Sequence, residues 1–317
     1  MTSEPRVDAA AVPRVSLIVC TTGRDDRLPA LRDRLVASLA EPHGADEVIL
    51  VDNSPNGLPP DAVAGTIRVV RSALPGLSRA RTVGCIHAGG DVLVFTDDDV
   101  EFQPSWAALM ATPVLDGRFD VTVAPIKLGP ELDHVTSPLL RGWLAEANLG
   151  DHPPRLVGAG FAVRRSLLGL GLWDQQLGAG VPERGFGEET LFELMVQSHG
   201  ARVGLVSEAA VIHHPDLARA TASEWRRTAV AKGRSEAYVA YHWAGEELPH
   251  AALRALRRRL RLLTHRLRHR SSIGGLEEEL RLLQSWAFAH ESARERGRPR
   301  VYRAPAISPP PPISARS

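Results

Sequence analysis

Three adjacent carboxylates, Asp97, Asp98 and Asp99, close the apolar run DVLVFT. Like charges this close repel, so a fold keeps them together only where something compensates. Clustered carboxylate oxygens suit a hard divalent cation such as Mg²⁺ or Mn²⁺, which in turn grips phosphate oxygens. The plain alternative is a solvated acidic turn, and the position directly after a buried run speaks against it. His213 and His214 close a later apolar run, AAVIHH. One imidazole can complete a metal shell beside carboxylates. Neighbouring strand residues face opposite ways, so only one of the pair points at any one site, and His213 is the preferred one. An ordinary surface or core histidine is the alternative.

Other groups can take part in the same chemistry. Glu188 and Glu189 follow a Gly-x-Gly turn and open a helical stretch. A carboxylate at such a junction can be held beside a pocket and take a proton from a hydroxyl. It can also simply complement the positive end of the helix dipole. Asp52 follows the run EVILV, where it can accept hydrogen bonds from a nucleobase edge or ribose, or else start the turn Asp-Asn-Ser-Pro. Arg79 and Arg81 open a helix after GLS and can reach phosphates, or can form structural ion pairs. Trp173 reads first as core packing, with a face for a sugar ring as its alternative.

The elements that must position these residues are legible as alternating patterns. VSLIVC (15–20), EVILVD (47–52), IRVV (67–70) and DVLVFTDDD (91–99) read as buried strands. Leu28, Leu31, Leu35, Val36 and Leu39 follow the first strand at helical spacing. A second helix is predicted from Ser78, as N-cap, to about Ala88. The order strand, helix, strand, strand, helix, strand predicts an α/β fold: a mostly parallel central sheet with flanking helices. Ligands gather at the carboxyl ends of such strands, where Asp52 and Asp97–Asp99 lie. Further on, 155–168 reads as a small-residue turn, a short strand and a helix start. The segment 185–200 reads as a glycine loop feeding a helix, and 202–214 as two more strands.

The 317 residues include 44% hydrophobic and 24% charged residues, enough for a sizeable core. No apolar run approaches the roughly 18–20 residues that span a bilayer, and the start lacks the apolar core of a secretory signal. Cys20 and Cys85 are too few for a disulfide framework. The net charge of +1 gives no reason to expect a nucleic-acid partner. It is an average of unlike parts, since residues 251–317 hold 15 Arg against 5 Glu. Leu253, Leu256, Leu260, Leu263 and Leu267 repeat there at helical spacing among arginines, and Leu276, Leu280, Leu283 and Ala287 resume the pattern after SSIGG. The organisation expected is a flexible arm (1–13), an α/β domain (14–250), a basic amphipathic helical hairpin (251–295) and a disordered Pro/Arg-rich tail (296–317). The hairpin suits an anionic membrane surface, self-association, or packing on the acidic body.

Six segments in order carry a resemblance: VSLIVCTTGR, EVILVDNSPNG, GLSRARTVGCIHAGGDVLVFTDDDVEFQPSW, GAGFAVRRSLL with GLWDQQLGAG, GFGEETLF and AAVIHHP, together about residues 14–215. The chain resembles family 2 glycosyltransferases of the GT-A, Rossmann-like fold. The resemblance implies a nucleotide-diphosphate sugar as donor, a divalent metal (Mn²⁺ or Mg²⁺) and inversion at the anomeric carbon. It implies that Asp52 holds the nucleobase, that Asp97 and Asp98 form the ribose side of an Asp-x-Asp motif, and that Asp99 binds metal with His213. Glu189 falls on the general-base position, where the family usually has Asp, and Glu188 is the second candidate. The opening turn Cys-Thr-Thr-Gly also departs from the family's usual Pro-Thr-x-Asn-like turn.

The acceptor hydroxyl is expected near Gly158–Gly160, on a glycan, a lipid-linked molecule or a small molecule. The location expected is cytoplasmic, with peripheral contact at the inner face of the membrane as an option. Two other classes fit the residues less well. A nucleotidyltransferase making a nucleotide sugar needs a better phosphate loop than CTTGRDDR, and an inactive binding scaffold has no need of intact acidic groups.

Overall fold

The computed structural model describes residues 15–302 apart from 25, 41–43, 60–62, 64 and 269–274. The arm 1–13 and residues 303–317 of the tail therefore lie outside the described residues. The first four strands are β1 (Val15–Thr21), β2 (Glu47–Asp52), β3 (Arg68–Arg71) and β4 (Val92–Asp97). They pair in parallel in the order β3-β2-β1-β4. β1, β2 and β4 are rich in β-branched and apolar residues because both their faces are covered, whereas the edge strand β3, Arg-Val-Val-Arg, is mostly exposed. Along β1, Leu17 and Val19 pack on one face against Leu31 and Leu35 of α1 (Leu28–Ala40) and Trp106 and Met110 of α3 (Trp106–Leu115). Ile18 and Cys20 pack on the other against Ala80 and Cys85 of α2 (Leu77–His87). The expected N-cap at Ser78 is corrected. Gly76 precedes the helix, and the Ser78 hydroxyl donates instead to the Leu177 carbonyl at 2.8 Å, tying α2 to a distant loop.

The sheet continues through β8 (Phe161–Arg164), β6 (Val121–Val123) and β9 (Val203–Leu205), with β8 antiparallel to both β4 and β6. A second, small sheet sets β10 (Val211–His213) between β5 (Val100–Glu101) and β7 (Ile126–Leu128). The architecture is the mostly parallel α/β sheet with flanking helices that the sequence predicts.

Among the described residues, α4 (Pro138–Trp143), α5 (Glu188–Ser198), α6 (Ala222–His242), α7 (Ala251–Arg268) and α8 (Leu276–Glu295) complete the helices. A third apolar cluster joins Trp143 and Trp225 to Leu262 of α7 and Leu280 and Leu283 of α8. Residues 296–302, expected in the disordered tail, are held instead. The Tyr302 hydroxyl donates to Asp174 at 2.6 Å, and the Val301 amide donates to His242 Nδ1 at 3.2 Å. No helix among the described residues is long and apolar enough to cross a membrane.

Candidate active site

Strand register brings the acidic groups together. Thr21 pairs with Asp52 and Cys20 with Asp97, so the carboxyl ends of β1, β2 and β4 lie level. The chain turns through Asp98 and Asp99 into β5, and β5 pairs with β10 so that Val100 faces His213. The His214 amide donates to the Asp99 carbonyl at 2.8 Å. His213 Nε2 then lies 3.3 Å from Asp99 Oδ1 in a buried position. His214 turns outward to Glu131 at 2.9 Å, as strand alternation requires.

The donor set of Asp97, Asp99 and His213 fits a divalent metal, with one ligand atom from each lying within 4.8 Å of the others. His213 Nδ1 sits 2.9 Å from the Leu144 carbonyl, which needs a proton on Nδ1, and Nε2 is the ring nitrogen turned toward Asp99. A backbone carbonyl behind the imidazole is the usual support for a metal-ligating histidine. Burial pushes Asp97 up to about 6, with Arg81 opposing and Asp99 adding to the rise. Burial acts the same way on Asp99, but the His213 hydrogen bond and Arg27 outweigh it and hold the group at about 2.

Arg81 is the hub of the other half. It is 2% exposed and points from α2 under the strand ends. Its guanidinium reaches Glu189 at 2.8 Å, Asp97 at 3.5 Å and Glu188 at 3.6 Å, and lies 5.9 Å from the centre of the Phe161 ring. Gly158 permits this: a Cβ there would stand 2.2 Å from Arg81 and 2.4 Å from Glu189. Arg81 is thus held by carboxylates rather than extended for phosphate. Arg79, two residues earlier and partly exposed, is outside this ion-pair cluster.

Glu188 and Glu189 occupy the first turn of α5, entered through Gly187 at φ +94°, a conformation that side chains with a Cβ rarely adopt. The two differ in surroundings. The Glu189 side chain is 19% exposed and that of Glu188 is 4% exposed. Burial, and then the neighbouring Glu189, push Glu188 well above its ordinary 4.5. The loop before α5 is pinned from behind by Arg184, which bonds Glu291 at 2.6 Å and also Glu295, both on α8, and lies 4.7 Å from the centre of the Tyr238 ring.

Asp52 is buried and its oxygens are engaged by the Ser54 amide and hydroxyl, the Leu58 amide and Arg71 at 2.8 Å. It organises its own turn. Asp98 accepts from the Thr21 hydroxyl at 2.7 Å and stands 3.9 Å from Arg27, facing the end of β1. Trp173 is a core residue, stacked on Phe192 at 4.8 Å and edge-on to Phe95, in keeping with the packing role preferred from the sequence over a sugar platform. Sequence reasoning missed Arg27, whose guanidinium is 2.7 Å from Asp99 Oδ2, and Arg71 and Arg184. The signal for Arg27 was its place in the loop after the first strand, TTGRDDR, where ligands gather.

Residues 16–168 match the family model for "Glycosyl transferase family 2". Over 148 residues, 41% of this chain, the sequence is 29% identical to polypeptide N-acetylgalactosaminyltransferase 11 of Xenopus tropicalis, and the match takes in 24% of that protein. A mannosyltransferase from Pyrobaculum calidifontis, solved with GDP-Man and Mn²⁺, shares the fold with a TM-score of 0.53 at 19% identity, over 89% of this chain and 86% of that one. Glucosyl-3-phosphoglycerate synthase from Mycobacterium tuberculosis aligns with a TM-score of 0.49 at 20% identity, over 71% of this chain and 81% of that one.

Proposed function

Starting from a chain that belongs to glycosyl transferase family 2 and has the GT-A fold, we propose that it moves a sugar from a nucleoside-diphosphate sugar to an acceptor hydroxyl in one inverting displacement. The observation that carries this reading is the hub at Arg81. It joins a metal-fitting group, Asp97, Asp99 and His213, to a carboxylate pair at the mouth of α5.

The donor lies across the strand ends, with its base toward the Asp52 turn and its ribose toward Asp97 and Asp98. Because Asp52 is already bonded within its turn, it acts by shaping the loop 53–58 as well as by any direct contact. Asp99, Asp97 and His213 would hold a divalent cation, which would supply positive charge against a diphosphate leaving group. Arg27, already paired with Asp99, lends positive charge on the same side.

Glu189 accepts the proton of the acceptor hydroxyl. It is the more exposed of the pair and is oriented by a 2.8 Å bond to Arg81. Glu188 lies behind it, where burial disfavours its charged form. The longer Glu at the base position is accommodated by the space at Gly158, where any side chain would collide with its carboxylate. Acceptor identity, whether glycan, lipid-linked or small molecule, rests on the surface around Gly158.

A thermal-shift screen of nucleoside diphosphates with and without Mn²⁺ tests the reading. Stabilisation by one nucleoside diphosphate, present only with the metal, is expected. No response to any nucleotide contradicts it and favours a scaffold.

A further inference from the structure

The helix α7 carries an apolar stripe that no described residue covers. Its buried residues, Ala251, Ala255, Leu262 and His265, face the body and α8. Leu253, Leu256, Leu260, Leu263 and Leu267 are 46–71% exposed. At about 100° per residue these five fall on the side of the helix opposite the buried set. Arg259 lies on one flank of the stripe, and Arg254, Arg257, Arg261 and Arg268 on the other, all exposed and in no ion pair among the described residues. A groove of about 380 Å³ between α7 and α8 extends the apolar surface from Leu256 to the half-buried Trp286.

We propose that α7 is a membrane-surface helix that lays its leucine stripe into the interface of an anionic phospholipid bilayer, with the flanking arginines at the headgroup phosphates. The charge pattern selects this occupant. Residues 251–268 contain seven Arg and no Asp or Glu. Two copies packed stripe to stripe would bring unpaired arginines against one another, and no acidic residue of α7 could relieve them. An anionic leaflet relieves all of them together, and long Arg stems keep their heads at the phosphates while their methylenes lie along apolar surface. A leucine face between basic flanks is the pattern of helices that lie in the interface plane. Trp286 stands where an indole suits the headgroup boundary. The proposal does not depend on the transfer reaction, since binding can be read without turnover.

Vesicle flotation of the full chain tests it. Binding to vesicles of phosphatidylglycerol and phosphatidylcholine in equal parts is expected, with little on phosphatidylcholine alone. The exposed triple variant Leu256→Ser, Leu260→Ser, Leu263→Ser should melt at the wild-type temperature and lose binding. The variant Arg257→Gln, Arg259→Gln, Arg261→Gln should lower partitioning by about a hundredfold, at roughly fivefold per charge near an anionic surface. Absence of binding to the mixed vesicles overturns the proposal, as does equal binding to both vesicle types. Undiminished binding of the leucine variant would mean simple polyanion capture and overturns it too. So would light scattering that shows a dimer abolished by the leucine variant, because a second copy would then cover the stripe.

Discussion

Arg81 and Glu189 are joined by a 2.8 Å ion pair across 108 positions of sequence, and this bond connects the face of α2 to the mouth of α5. It aligns a carboxylate with the acidic group at the end of β4, because the same guanidinium also reaches Asp97. The proposed base and the metal-fitting residues therefore share one support.

Glu189→Gln keeps the shape and can still accept a bond from Arg81, but cannot take a proton. Turnover should fall about 10²–10⁴-fold, the usual range for a general base, while affinity for donor nucleotide with Mn²⁺ stays near that of the wild type. Calorimetry for binding and product assay for turnover check the two halves.

Asp99→Ala removes one of the three metal-fitting donors and leaves Arg27 without its closest partner. Metal-dependent nucleotide stabilisation should vanish in a thermal-shift titration, with turnover lost alongside it. The fold itself should persist, since Asp99 lies in the turn between β4 and β5 rather than in the core.

Arg81→Met leaves Glu188, Glu189 and Asp97 without their shared buried cation. Removing one partner of a buried ion pair costs about 3–5 kcal/mol, so a large drop in urea midpoint is expected. Arg81→Lys should recover part of this loss, because one ammonium cannot serve three carboxylates with the geometry of a guanidinium.

Glu188 sets a pH dependence whose sign follows from its surroundings. In the unfolded chain it ionises near 4.5, whereas burial keeps it protonated well above that value in the fold. The folded state then holds the extra proton, so this group lowers stability as pH rises above 4.5, by about 1.4 kcal/mol per pH unit until its own folded value is reached. Asp52 acts in the opposite sense. Burial opposes, but bonds from Ser54, Leu58 and Arg71 outweigh it and lower the group below 3.8, so its stabilisation is present above 3.8 and is lost as the pH falls further. Urea denaturation between pH 5 and 7 should show a flatter profile for Glu188→Gln than for the wild type.

Arg184→Met cuts the link between the loop before α5 and Glu291 and Glu295 on α8. It should lower kcat more than nucleotide affinity, because this loop leads directly into the first turn of α5, which carries Glu189, the proposed base. Comparison of kcat with the binding constant for nucleoside diphosphate distinguishes this from general unfolding.

Much of the candidate site's placement was legible because strand ends are. Runs of buried β-branched residues that stop in Asp52, Asp97–Asp99 and His213 mark the edge where a parallel sheet gathers ligands. The choice of His213 over His214 follows from the two-residue period of a strand. The rest depends on long-range packing. Arg81 reads locally as a phosphate reacher at a helix start, and only the approach of α5 past Gly158 shows that carboxylates surround it. Arg184 is silent in sequence because its partners lie 107 and 111 positions away. In α7 the leucine period announces an amphipathic helix, yet the small Ala251 and Ala255 are what allow close packing, so the leucines face outward.

The stereochemistry of transfer tests the central claim most directly. With the donor chosen by the nucleotide screen, proton NMR of the freshly formed product reads the anomeric configuration. The account predicts a β-linked product from an α-linked donor, formed only with Mn²⁺ or Mg²⁺ and nearly absent with Glu189→Gln. A product that keeps the donor's α configuration, or full transfer by Glu189→Gln, contradicts it.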